Sequence, residues 1–111
     1  MKRFLLLTTL LLAACGGALP DHVDLKPEAE NVEFAYEPPG ADGYKEVGKV
    51  TGMAQGTDTD ATTIAAKNDL RNKAAALGAT IVTLDENVGE AVPLTSKVTV
   101  KVTGRAYKPV D

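Results

Sequence analysis

KVTVKVTGRAY, residues 97–107, alternates without a break. Val98, Val100, Val102, Gly104 and Ala106 fall on one side, and Lys97, Thr99, Lys101, Thr103 and Arg105 on the other. A period of two is that of a strand with one buried and one wet face; a helix would need apolar residues three and four apart. The segment therefore predicts a strand packed against a core, carrying Lys97, Lys101 and Arg105 along its solvent side.

Working back along the chain, TIVTL (80–84) is β-branched and nearly all apolar, as a central strand should be. DENVGEAVPLT (85–95) reads as a turn-rich connection between the two. Before them, ATTIAAKNDLRNKAAAL (61–77) is a helix, with Asp58, Thr59 or Asp60 as its cap and Gly78 where a left-handed residue ends it. At 100° per residue, Thr63, Ala66, Leu70, Ala74 and Leu77 form its apolar stripe, with Ile64 outside it. Ala66 and Ala74 would let it approach a sheet closely. YKEVGKVTG (44–52) is a further strand, whose Gly48 and Gly52 need a bulge or a close contact to justify them. VEFAY (32–36) alternates as well, and EPPGADG (37–43) is a turn cluster.

The order is β-β-α-β-β. It predicts a small α+β domain over 32–111, a four-stranded sheet with one helix packed on one face. The short link after the helix makes strand–helix–strand a crossover, and the remaining strand pairs are expected to be antiparallel.

The N-terminal third has a different character. Met1-Lys2-Arg3 is a basic tip, and Phe4 to Leu12 is an apolar run of nine residues, too short for the ~20 of a spanning helix and right for an export signal. Small Ala13 and Ala14 then lead to Cys15, the single cysteine of the chain. Leu12-Ala13-Ala14-Cys15 resembles the lipobox of bacterial lipoproteins. The resemblance implies cleavage between Ala14 and Cys15, a lipidated thiol and an acylated new amine, with acyl chains such as palmitate as the membrane anchor. Gly16 after the cysteine implies, by the same resemblance, the outer membrane, facing the periplasm. Residues 1–14 are thus expected to be a signal peptide, and 15–31 the lipidated cysteine and a flexible tether of ~55 Å at full extension.

Composition excludes several function classes. Without Lys2 and Arg3 the remaining chain holds ten basic and fifteen acidic side chains, net −5. An acidic body lacks the basic footprint of a nucleic-acid binder and is repelled by anionic lipid, so membrane attachment must come from the anchor. Beyond Cys15 there is no thiol, hence no disulfide, thiolate metal site or cysteine nucleophile. His22 is the only histidine and lies between Asp21 and Asp24 in the tether, where a solvated side chain is expected. Asp58-Thr59-Asp60 lacks the later ligands of a calcium loop and reads as a cap. Asp85 and Glu86 are adjacent, which a turn would expose and a strand would separate, and nothing around them forms an acid–base pair. No metal, no cofactor and no enzymatic activity are expected. The one candidate surface is the face of Lys97, Lys101 and Arg105, suited to an anionic partner or to edge protection.

Gly48-Lys49-Val50-Thr51-Gly52, Ala66-x-Asn68-x-Leu70-Arg71-Asn72-Lys73-Ala74, Gly78-Ala79-x-x-Val82 and Gly104-x-Ala106-Tyr107 together resemble a family of small, uncharacterised outer-membrane lipoproteins. That family is in turn similar to the lipoprotein sensor of the Rcs envelope-stress phosphorelay. The resemblance implies the fold and an envelope role, either as a binding or structural module or as a stress sensor contacting signalling or outer-membrane assembly proteins. The sensor's folded-domain cysteines have no counterpart after Cys15, so disulfide-dependent signalling does not carry over.

Overall fold

A computed structural model describes residues 19–110. The expected signal peptide over 1–14, its junction at Ala14 and Cys15, and residues 16–18 lie outside the described residues. Four strands, β1 (Glu33–Ala35), β2 (Tyr44–Gly56), β3 (Ile81–Ala91) and β4 (Val98–Pro109), form one sheet in the order β1-β3-β4-β2. One helix, α1 (Thr59–Ala76), lies on one face of it, mainly over β2 and β4. The α+β class and the β-β-α-β-β order are those expected.

The helix begins where its chemistry says it should. The Asp58 carboxylate accepts from the Asp60 amide at 3.2 Å, which settles the Asp-Thr-Asp triplet as a cap. It ends on Gly78, at φ +82°, with the Gly78 amide on the Ala75 carbonyl and the Ala79 amide on the Ala74 carbonyl. That bond pair defines a Schellman motif and requires the left-handed residue. The buried stripe is Thr62, Ala65, Ala66, Leu70 and Ala74. Thr62 takes the place expected for Thr63, and its buried hydroxyl is satisfied by the Asp58 carbonyl at 2.7 Å. Leu77 is 46% exposed, since it is the C-cap and has left the helical path.

Contact between helix and sheet is made by small residues. A Cβ on Gly52 would stand 2.6 Å from the Leu70 backbone nitrogen and overlap the Ala66 carbonyl. Only glycine admits the helix this close. Gly48, at φ +148°, sits at a bulge in β2 between Glu46 and Gly48. Val50, Ala54, Val82, Val100, Val102 and Ala106 complete the core beneath Leu70.

Three expectations are corrected. First, residues 85–91 are not a loop; they continue β3 and pair with β4 from Glu86↔Thr103 to Ala91↔Val98, past a bulge between Leu84 and Glu86. Their polarity misled because this half of β3 is exposed on both faces. Second, β1 pairs with β3 in parallel, Glu33↔Ile81 to Ala35↔Thr83, and not antiparallel. A 3-10 turn, Pro27–Ala29, packs on the helix that leads into β3, so both strands start from the same end. Third, the expected free tether is docked from Pro20 onward. Asn68 Nδ2 donates to the Val23 carbonyl and Asn72 Nδ2 to the Asp24 carbonyl, each at 2.9 Å, while Asn72 Oδ1 accepts from the Lys26 amide. Arg71 donates to the carbonyls of Val32 and Glu30. Ala29 and Val32 are buried in the core region. The segment has no period because helix side chains hold its backbone.

The same docking closes one sheet edge. β2 is an edge strand, and three of the groups it turns outward are met by partners. The Gln55 amide donates to the Pro20 carbonyl at 2.9 Å, the Met53 amide to Asp69 Oδ2 at 3.0 Å, and Lys73 Nζ donates to the Thr51 carbonyl at 3.0 Å. Asp69 and Lys73, one turn apart, also pair with each other at 3.1 Å. An ion pair laid along the edge obstructs pairing with another strand there.

Candidate functional site

Lys97, Lys101 and Arg105 are all exposed on the sheet face opposite α1, as the alternation of β4 requires. β4 is central, so this stripe runs down the middle of the sheet. Register sets its neighbours. Lys101 lies between Met53 and Val88, Thr99 between Gln55 and Glu90, and Thr103 between Thr51 and Glu86. Arg105 lies between Lys49 and Thr83, and its Nε is 3.6 Å from Asp85 Oδ2. Gln55 Nε2 donates to the Thr99 hydroxyl at 3.0 Å.

The face is therefore mixed in charge rather than purely cationic. Lys49 joins the stripe, which sequence reasoning missed; the alternation of β2 around its bulge was the signal. Glu86 and Glu90 flank it, hidden from sequence reading because 85–91 looked like a loop. Asp85, at the β3 bulge, holds Arg105 at the surface, where such a pair contributes at most ~1 kcal/mol. Lys97 and Lys101 have no salt bridge among the described residues.

Among the described residues nothing else gathers reactive groups. His22 Nε2 lies 2.7 Å from Asp24 Oδ1, with both side chains exposed. They border a shallow groove of about 590 Å³ between the docked segment and α1, together with Asp69, Asn72 and Lys73. Those three side chains are already occupied with the backbone bonds given above. A smaller groove of about 340 Å³ lies between β1 and the helix, lined by Phe34, Ala35, Tyr36, Lys67 and Leu84. The Lys67 and Arg71 cations stand 5.9 and 5.8 Å from the Phe34 ring centre. Among the described residues no cluster of three or more His, Cys, Asp or Glu could hold a metal ion, and no helix is long and apolar enough to cross a membrane.

Residues 23–108 match the family described as Domain of unknown function (DUF4156), and the chain belongs to that family of small, uncharacterised domains. The match starts at Val23, inside the docked segment, nine residues before the boundary expected at Val32. No curated protein matches the chain.

Proposed function

We propose that the chain is a bacterial envelope lipoprotein, anchored by acylated Cys15 at the periplasmic face of the outer membrane, and that its domain is a non-enzymatic binding or structural module. The observation that carries this reading is the coincidence of basic tip, nine-residue apolar run, Ala13-Ala14 and the single cysteine. Two acyl-type anchors would make attachment durable, whereas one chain alone binds marginally. The absence of disulfide chemistry beyond Cys15 favours a module over a redox sensor. A stress-sensing role through contact with signalling or assembly proteins is the second reading, favoured by the resemblance to the Rcs sensor lipoprotein.

Docking of Pro20 on β2 changes what the anchor implies. Only four residues separate Pro20 from Cys15, and the five chain steps between them reach at most ~17–18 Å. The end of the domain bearing Gln55, Gly56 and Lys97, which surround Leu19 and Pro20, then stays near the lipid surface. The sheet face of Lys97, Lys101 and Arg105 is then kept at a limited distance from the lipid surface for an anionic envelope partner.

The test is crosslinking from intact membranes with the lipidated chain, a Cys15→Ala control and a Lys101→Glu/Arg105→Glu variant. A partner lost in both variants supports a membrane-positioned module using this face. Capture unchanged by charge reversal removes the face, and capture unchanged by Cys15→Ala removes the need for an anchor. Deletion separates the two readings: altered envelope permeability alone fits a module, and a changed stress-regulon transcript profile fits a sensor.

A further inference from the structure

The two edges of the sheet are finished differently. On β2, the Thr51 carbonyl and the Met53 and Gln55 amides are each met by a dedicated partner. On the far side, β1 covers β3 only from Ile81 to Thr83. Beyond Ala35 the lane beside β3 is empty among the described residues, while β3 runs on to Ala91.

The hairpin bond fixes which groups face that lane. The Val92 amide donates to the Lys97 carbonyl at 3.0 Å, so by the period of two Glu90, Val88 and Glu86 bond toward β4. Asn87, Gly89 and Ala91 then aim their amides and carbonyls at the empty lane. No hydrogen bond reaches them there among the described residues, and all three are exposed.

Both sides of the lane have a defined chemistry. On the face away from the helix stand Glu86, Val88 and Glu90, opposite Thr103, Lys101 and Thr99. Neither glutamate has a salt-bridge partner among the described residues. On the helix side, Leu84 and Phe34 are 36% and 37% exposed and border the 340 Å³ groove. Ile64, 61% exposed, is on the helix face of Lys67 and Arg71, one turn nearer the helix start. Gly89 and Ala91, small and exposed, leave room on that side of β3 for large apolar side chains.

We propose that this open edge takes up an extended segment of a partner protein as a fifth strand, with basic residues beside Glu86 and Glu90 and apolar residues on the helix side. Backbone bonds to Asn87, Gly89 and Ala91 supply affinity, and the alternating faces supply selectivity. Charge complementarity selects this occupant over a second copy: antiparallel pairing of two copies about Val88 sets Glu86 opposite Glu90 twice, and like charges directly opposite disfavour pairing. The edge lies beside the Lys101 and Arg105 stripe, with Val88 opposite Lys101, and its pairing groups belong to β3 and do not depend on the anchor.

The experiment uses the purified full chain in mild detergent and a capped peptide with the core Lys-Leu-Val-Leu-Lys. Amide hydrogen exchange is read at Asn87, Gly89 and Ala91, with the same peptide carrying Glu for Lys as comparison. Protection of these amides by the basic peptide alone, and binding weakened about tenfold by Glu86→Lys/Glu90→Lys, supports the proposal. Gly89→Pro removes an edge donor and should abolish the protection; if it disturbs the hairpin, the charge variant decides alone. Equal binding of the acidic peptide, unchanged binding by the charge variant, protection elsewhere, or no binding overturns it. Protection that rises with protein concentration without peptide assigns the edge to a second copy and overturns the proposed occupant.

Discussion

Replacing Gly52 with alanine adds one methyl group at the closest approach of helix and sheet. The new Cβ would meet the Leu70 nitrogen at 2.6 Å and the Leu70 Cβ at 2.8 Å, and would overlap the Ala66 carbonyl. Two of these three are helix backbone, so no rotamer change relieves them. Restoring a separation of ~3.5 Å from the Ala66 carbonyl, the nearest of the three, moves α1 outward by more than ~1 Å, and a gap of that size forfeits about half of the dispersion energy across it. Leu70, fully buried and worth ~1.5–3 kcal/mol, lies at the centre of the affected contact, with Ala66 and Ala74 on either side. A loss of ~2–4 kcal/mol follows, in the upper range for overpacked cores. For a domain of this size that lowers Tm by on the order of 10–25 °C. Thermal unfolding followed by circular dichroism measures it, with Gly40→Ala, which has nothing within 4 Å, as the control. A Gly52→Ala domain melting within ~2 °C of the parent would refute the packing argument, since a surface substitution alone stays within about 0.5 kcal/mol.

Other consequences are smaller or simpler. Leu70→Asp places an unpaired charge in the core and should abolish cooperative melting; a retained transition would contradict the helix placement. Asn72→Ala removes both bonds to the 24–26 backbone, costs ~1–2 kcal/mol, and should speed exchange of the Lys26 amide and limited proteolysis near it. Asp69→Ala leaves the Met53 amide without its acceptor and Lys73 without its ion partner, so Met53 exchange should quicken and stability fall by ~1 kcal/mol. An unchanged Met53 amide would mean that the edge of β2 is protected some other way.

The parts of the fold that announce themselves in sequence have a local cause. β4 alternates because one face is buried and the other wet. Asp58 and Gly78 bound the helix because caps need those residue types. Gly52 could be recognised as a packing glycine, although its partner could not be named. What stayed hidden depends on distant contacts. The segment from Pro20 to Asn31 looks like a linker because its order comes from Asn68, Arg71 and Asn72, some 40 residues away. The parallel placement of β1 follows from that docking and not from its own three residues. Residues 85–91 lack apolar alternation because the helix never covers them, so strand pairing with β4 is their only mark of order. For the candidate site, Lys97, Lys101 and Arg105 were legible from period alone. Their acidic neighbours and Lys49 emerged only with the register of the flanking strands.

The central claim concerns Cys15, and the intact mass of the chain recovered from membranes tests it most directly. The account gives a mature polypeptide beginning at Cys15, heavier than its sequence by a lipid on the thiol and an acyl group on the amine, with Cys15→Ala left unprocessed and without those additions. A chain still beginning at Met1, or one cleaved elsewhere and carrying a free thiol, would contradict it.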